Sequence, residues 1–162
     1  MNNSTKKVVL VGHFNVGKSS MIRRFVKNIF SEDYLVTIGV HILKKTITIS
    51  NIDMTLVVWD IEGKEAINTV RDSYLLGTSG FIYVIDPTRI NTYQNLADEL
   101  KFLTKKYPKT PIITVCNKSD LVDINDFKKT LLNLNLEFDF SASAKTGENV
   151  ENIFHDLALK MK

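Results

Sequence analysis

Only one cysteine, Cys116, stands in the 162 residues, so no internal disulfide can form and a reducing, cytoplasmic setting is expected. No apolar run approaches the ~18 residues that a membrane-spanning helix needs. The opening Met1-Asn2-Asn3-Ser4 lacks a secretory apolar segment, and Asn2 excludes N-myristoylation of the chain as it stands. The closing Leu159-Lys160-Met161-Lys162 offers no cysteine to prenylate, so no covalent membrane anchor is expected in this chain. Charge of one sign is also scarce. With 21 basic against 18 acidic residues the formal charge is +3, and the lysines are scattered in pairs such as Lys44-Lys45, Lys105-Lys106 and Lys128-Lys129. That is the pattern of a solvated surface, and no nucleic-acid partner is expected. The three histidines, His13, His41 and His155, fall in separate segments without metal-ligand spacing, which argues against a zinc site. Repeats, linkers and low-complexity segments are missing as well.

What is present is an ordinary globular composition, 44% hydrophobic and 24% charged, at a length that suits one domain over residues 1–162. Short apolar runs alternate with helical periodicity. Val8-Val9-Leu10-Val11 ends at Gly12 and reads as a strand buried on both faces. Further strands are expected at residues 54–59, 81–85, 112–116 and 136–140, ending at Asp60, Asp86, Asn117 and Ser141. In a parallel sheet those ends share one rim, where open α/β sheets bind ligands. Residues 40–50 read as an extra strand, antiparallel to the 54–59 strand through a turn near Asn51-Ile52-Asp53. Leu96, Leu100, Leu103 and Tyr107 mark a helix that Pro108 stops, and Val150, Ile153, Phe154, Leu157, Ala158 and Met161 stripe another. A further helix is expected at residues 125–133.

Gly12-His13-Phe14-Asn15-Val16-Gly17-Lys18-Ser19 fits the phosphate-loop pattern G-x-x-x-x-G-K-[ST], placed directly after a buried strand and before a helix. Glycines let the backbone wrap closely enough for successive N–H groups to meet phosphate oxygens. The helix that starts near Lys18 aims its positive end at the same anion. Lys18 supplies a movable charge, and the Ser19 hydroxyl suits Mg²⁺. The loop specifies a nucleoside triphosphate without naming the base. Asn117-Lys118-Ser119-Asp120, on the same rim, names it: the Asp120 carboxylate can accept the guanine N1–H and N2–H together, a donor pair adenine lacks. The stem of Lys118 can lie along the base. Cys116 reads as a small core residue, and Asp86, beside Pro87, as a turn or capping residue.

Together these motifs make the chain resemble a Ras-superfamily small GTPase, nearest in pattern to the Rab family, over nearly its whole length. Tyr34-Leu35-Val36-Thr37-Ile38-Gly39-Val40 is similar to the first switch, whose threonine closes on Mg²⁺ and the terminal phosphate. Trp59-Asp60-Ile61-Glu62-Gly63 is similar to the element that opens the second switch, and Ser143-Ala144-Lys145-Thr146-Gly147 to the last guanine loop. Phe30 matches the aromatic that packs on the guanine. The resemblance implies a three-layer P-loop nucleoside-triphosphatase fold of α/β class, with about six mostly parallel strands and one antiparallel edge strand. It implies GTP and GDP as ligands with Mg²⁺. Nucleotide contacts would come from Asn15, Val16, Gly17, Lys18, Ser19, Ser20 and Phe30, with Asn117, Lys118, Asp120, Ser143, Ala144 and Lys145 at the base end. Ser19, Thr37 and Asp60 would hold the metal. The catalytic candidates are Lys18, Thr37, Gly63 and Lys64, the last at the position of the usual glutamine. Protein effectors and regulators would read residues 31–42 and 61–75 of a monomer.

The departures from the pattern bear on rate and on partners. The family's second switch continues Ala-Gly-Gln-Glu, whereas this chain has Glu62-Gly63-Lys64-Glu65. The glutamine orients the attacking water, and a lysine ammonium only donates, so it cannot accept that water's proton. Phe14 occupies the loop position where relatives prefer glycine or a small residue, and it would crowd both that side chain and an arginine supplied by a partner. Slow hydrolysis is the expectation, with a non-hydrolysing GTP-binding scaffold as the alternative. A small ATP-using kinase would need an acceptor site and a lid arginine cluster that the sequence does not show. Ile42 replaces the usual aromatic two residues after Val40, while Trp59 and Tyr74 stand where relatives keep effector-facing aromatics. Both also read as half-buried packing residues. The helix between Asp120 and Ser143 is expected to be abbreviated.

Overall fold

A computed structural model describes residues 4–33, 36–63 and 66–162. Its centre is a six-stranded sheet in the order β2-β3-β1-β4-β5-β6, where β1 is Ser4–Val11, β2 Val40–Ile49, β3 Ile52–Ile61, β4 Gly80–Ile85, β5 Ile112–Cys116 and β6 Phe140–Ser141. All neighbours pair parallel except β2 with β3, the antiparallel edge hairpin. Helices α1 (Lys18–Lys27), α2 (Asp72–Leu75), α3 (Leu96–Lys106), α4 (Ile124–Asn133) and α5 (Val150–Lys160) complete the described layers.

The period-two alternation of β1 divides the core. Val8 and Leu10 face one cluster with Phe25 of α1 and Phe154 of α5, whose rings stack at 3.8 Å. Val9 and Val11 face the other, with Leu96 and Leu103 of α3 and Phe127 and Leu131 of α4. A strand covered on both faces has no polar side to show, which is why these strands read as unbroken apolar runs. Between β3 and β4, strand β1 marks the point where the chain order reverses, and the loop after it opens at the rim where such sheets bind ligands.

Several boundaries differ from expectation. The hairpin turns on Ser50 and Asn51, both at positive φ (50° and 63°), and Ile52 and Asp53 already belong to β3. Two consecutive left-handed residues make the tight turn whose twist matches the strands. The expected strand at 136–140 is reduced to Phe140–Ser141. Leu136 instead donates its N–H back to Leu131 O at 2.9 Å and is buried under α4, while the Asp139 carboxylate accepts the Thr114 N–H at 2.7 Å in place of a ladder bond. Helix α3 stops at Lys106 and α5 at Lys160, leaving Tyr107 and Met161 as the capping residues just beyond.

Candidate functional site

The strand ends converge on a cleft of about 400 Å³. Its floor is the loop after β1. Gly17 sits at φ 99°, and a Cβ there would fall 2.2 Å from Asn117 Nδ2, so only glycine lets the base loop approach so closely. That amide donates to Val16 O at 2.9 Å, and Asn117 Oδ1 accepts the Ala144 N–H at 3.1 Å. One asparagine thus ties the phosphate loop to both base loops. Asp120 lies at the far end and accepts from Ser143 Oγ at 2.7 Å. Phe30, Lys118, Ala144 and Lys145 line the same end, and Asn15, Gly17, Lys18, Ser19 and Ser20 the other. Val16 and Ser143 are fully buried behind the cleft wall and act from there through their backbone or hydroxyl contacts.

At the inner end, Lys18 is buried and donates through Nζ to Gly12 O (2.9 Å) and His13 O (2.7 Å). Burial lowers its pKa to about 8, offset in part by Asp60 and reinforced by Arg89. Ser19 Oγ and Thr37 Oγ1 meet at 2.7 Å, so the first-switch segment is closed onto the start of α1. Gly63 rests against the loop: a Cβ there would lie 2.7 Å from Phe14 Cα and 3.0 Å from Lys18 Nζ. No larger residue fits without displacing the phosphate loop. Lys64, Glu65, Tyr34 and Leu35 lie outside the described residues.

Asp60 is the residue behind this cluster. Burial raises its pKa, against a hydrogen bond from Ser19 and the charge of Lys18, and Oδ1 is a buried oxygen with no hydrogen-bond partner among the described residues. An orphaned carboxylate oxygen costs free energy unless something cationic meets it. With the two hydroxyls it forms an all-oxygen donor set, which suits a hard divalent cation such as Mg²⁺. Among the described residues no three His, Cys, Asp or Glu side chains group as a metal site.

Some partners of the site carry no motif signal. Asp86, at the end of β4, is fully buried and accepts from Lys118 Nζ at 2.6 Å, besides turning on Thr88 N–H and Oγ1. Burial works to raise its pKa, but the Lys118 and Thr88 hydrogen bonds outweigh it and hold the carboxylate below its ordinary value. Lys118 Nζ also reaches Asn15 O at 2.8 Å. The position of Asp86 on the ligand rim was the available clue. Arg24 of α1 donates from Nε to Ala144 O at 2.9 Å and from Nη2 to Lys145 O, fixing the last base loop from below. Trp59 is half-buried on β3 opposite Ile42 of β2, with Lys7 Nζ 3.7 Å above its ring.

The Ras family model matches residues 7–162. The chain is 34% identical over 162 residues to the Ras-related protein Rab-1 of Theileria annulata, covering 96% of this chain and 74% of that protein. It is 34% identical over 165 residues to the Ras-related protein Rab-1A of Dictyostelium discoideum, covering 96% and 80%. The Ras-related protein Rab-1 of Theileria parva matches at 32% over 163 residues, covering 96% and 74%. With that similarity along almost its full length, and with this cleft at the rim of a phosphate-loop sheet, the chain belongs to the Ras family as a Rab-like small GTPase, a switch that binds GTP and GDP with Mg²⁺ and hydrolyses GTP.

Proposed function

We propose that this GTPase is a slow timer, one G domain over residues 1–162, whose output is the closure of residues 31–42 and 61–75 on the phosphate loop. The observation that carries the reading is the meeting of Thr37 with Ser19 and of Gly63 with Phe14 and Lys18 at one end of the cleft. Lys18 would neutralise the outer phosphates, and the Gly63 N–H would sense the terminal one. Ser19, Thr37 and Asp60 would hold Mg²⁺, which when bound shields charge between the outer phosphates. At the base end Asp120 would select guanine, with Ala144 and Lys145 offering N–H groups and Phe30 and the Lys118 stem packing on the ring. Loss of the terminal phosphate removes what both segments close upon, so they open together.

Hydrolysis is slow in this reading for two reasons. A lysine at residue 64 cannot accept from water. Gly63 meets the Phe14 backbone, and a bulky side chain on that loop residue, which is 45% exposed, would crowd the space of a water-orienting side chain. The same crowding supports the second reading, a scaffold that binds GTP without turning it over. Single-turnover hydrolysis of wild type, Lys64→Gln and Phe14→Gly tests this. Each substitution is expected to speed turnover by about tenfold or more, the scale of one well-placed hydrogen-bonding group. Wild-type turnover as fast as both variants would sink the slow-timer reading. GDP alone in freshly purified protein favours the timer, and retained GTP favours the scaffold. Effectors and regulators would dock on residues 31–42 and 61–75, where Ile38 (79% exposed) and Ile42 stand exposed and Ile42 lies opposite the half-buried Trp59, apolar surface suited to a protein partner. The monomeric, cytoplasmic state belongs to the same proposal, and no helix among the described residues is long and apolar enough to cross a membrane.

A further inference from the structure

Arg89 follows β4 in the turn that Asp86 opens, and its guanidinium reaches across to the outside of the phosphate loop. Nη2 donates to Phe14 O at 2.8 Å and Nη1 to Asn15 O at 3.2 Å. Nη1 also lies 4.0 Å from the buried Asp86 carboxylate, whose other cation, Lys118, donates to the same Asn15 O. Asp86 therefore anchors two cations that converge on two consecutive loop carbonyls.

The direction of those carbonyls matters. In a trans peptide the C=O and the following N–H point opposite ways. Arg89 does not line the cleft, so the Phe14 carbonyl aimed at it turns the Asn15 N–H inward, while the Asn15 carbonyl is shared between Arg89 and the base-end Lys118, which sets the Val16 N–H away from both cations. We propose that Arg89 is a positioning residue of the phosphate site, holding these two peptide planes from behind so that their N–H groups stay aimed at the β-phosphate. A charged donor on the carbonyl side also polarises each peptide and strengthens its N–H as a donor. The planar fork spans both carbonyls at once, which a lysine cannot do. The need is acute here because Asn15 is held at φ 61°, a conformation most side chains avoid.

The inference rests on residues 12–19 being the phosphate cradle, and the experiment separates the two claims. Affinities of GDP, GMP and IDP are measured by competition in Mg²⁺ buffer on the full chain as wild type, Arg89→Ala and Arg89→Lys, together with GDP release rates. GMP lacks the β-phosphate, and IDP lacks the base amine that Asp120 would accept. Loss of two charge-assisted donors should speed GDP release in Arg89→Ala by about tenfold. The GDP-to-GMP affinity ratio should fall by a similar factor while the GDP-to-IDP ratio stays at its wild-type value, and Arg89→Lys should fall between. An unchanged GDP-to-GMP ratio, at any release rate, overturns the proposal, and so does a parallel fall of both ratios, which would mark a general loosening of the fold. Wild type that fails to prefer GDP over GMP brings down the cradle reading itself, and Arg89's role with it.

Discussion

At the scale of single residues, one buried carboxyl outside the nucleotide contacts carries a test of its own. Glu99 of α3 is buried under the phosphate loop, where it accepts from the Tyr83 hydroxyl and lies 3.7 Å from His13 Nε2. Burial raises its pKa to about 7, against a hydrogen bond from the Ile67 N–H that favours the charged form. The carboxyl therefore binds a proton more tightly folded than unfolded, where it would titrate near 4.5. Its favourable contribution is complete below pH 4.5 and is lost as pH rises through 7. Glu99→Gln keeps the shape and stays neutral throughout. Urea denaturation of the GDP-loaded proteins should show wild type losing up to about 3 kcal/mol relative to the variant between pH 4.5 and 7.5. Parallel stability curves across that window would show that Glu99 ionises normally. Cys116 is the contrasting case: burial pushes its thiol up to about 12, so it behaves as an inert core residue.

At the scale of elements, α4 illustrates how local chemistry sets a boundary. Its N-cap Asp123 accepts from the Asn125 and Asp126 N–H groups, both at 3.0 Å, satisfying two donors the helix itself cannot. Asp123→Ala should cost about 1 kcal/mol in urea denaturation, the usual worth of such a cap. No loss of stability would mean that packing of Phe127 and Leu131, and not the cap, holds the helix start. Apolar runs exposed the parallel strands and the stripes on α3 and α5, since those signals come from burial and repeat along the chain. The strand at 136–140 misled for the same reason: Leu136 and Phe138 are apolar because they pack against α4 and Phe127, not because they pair in the sheet. In the cleft, residues held in short motifs were legible from spacing alone. Arg89 and Arg24 were not, because each donates to loop carbonyls, and a carbonyl is the same whatever side chain precedes it; Asp86 acts one step further back, through Lys118 and Arg89.

At the scale of the whole molecule, one lysine joins the sheet to the second switch. Lys7 of β1 sits 3.7 Å above the Trp59 ring and donates to Tyr74 O at 2.7 Å and to Leu76 O at 2.8 Å. It therefore bridges the central strand, the indole of β3 and the C-terminal end of α2. A cation over an indole face is an electrostatic contact that changes with small displacements. If residues 61–75 shift when the terminal phosphate is lost, the two carbonyls move and Lys7 moves with them. Trp59 is the chain's single tryptophan, so its emission reports this place alone. Wild-type protein loaded with a non-hydrolysable GTP analogue should differ from the GDP form in Trp59 emission wavelength or intensity. Lys7→Met keeps most of the length of the side chain but removes the charge and both donations, and should shrink that difference to half or less while leaving nucleotide bound. Identical wild-type spectra in the two loaded states would show that the second switch does not pull on the sheet through Lys7. An undiminished difference in Lys7→Met would show that the coupling reaches Trp59 through contacts other than Lys7, such as its strand neighbours Val9 and Ile42.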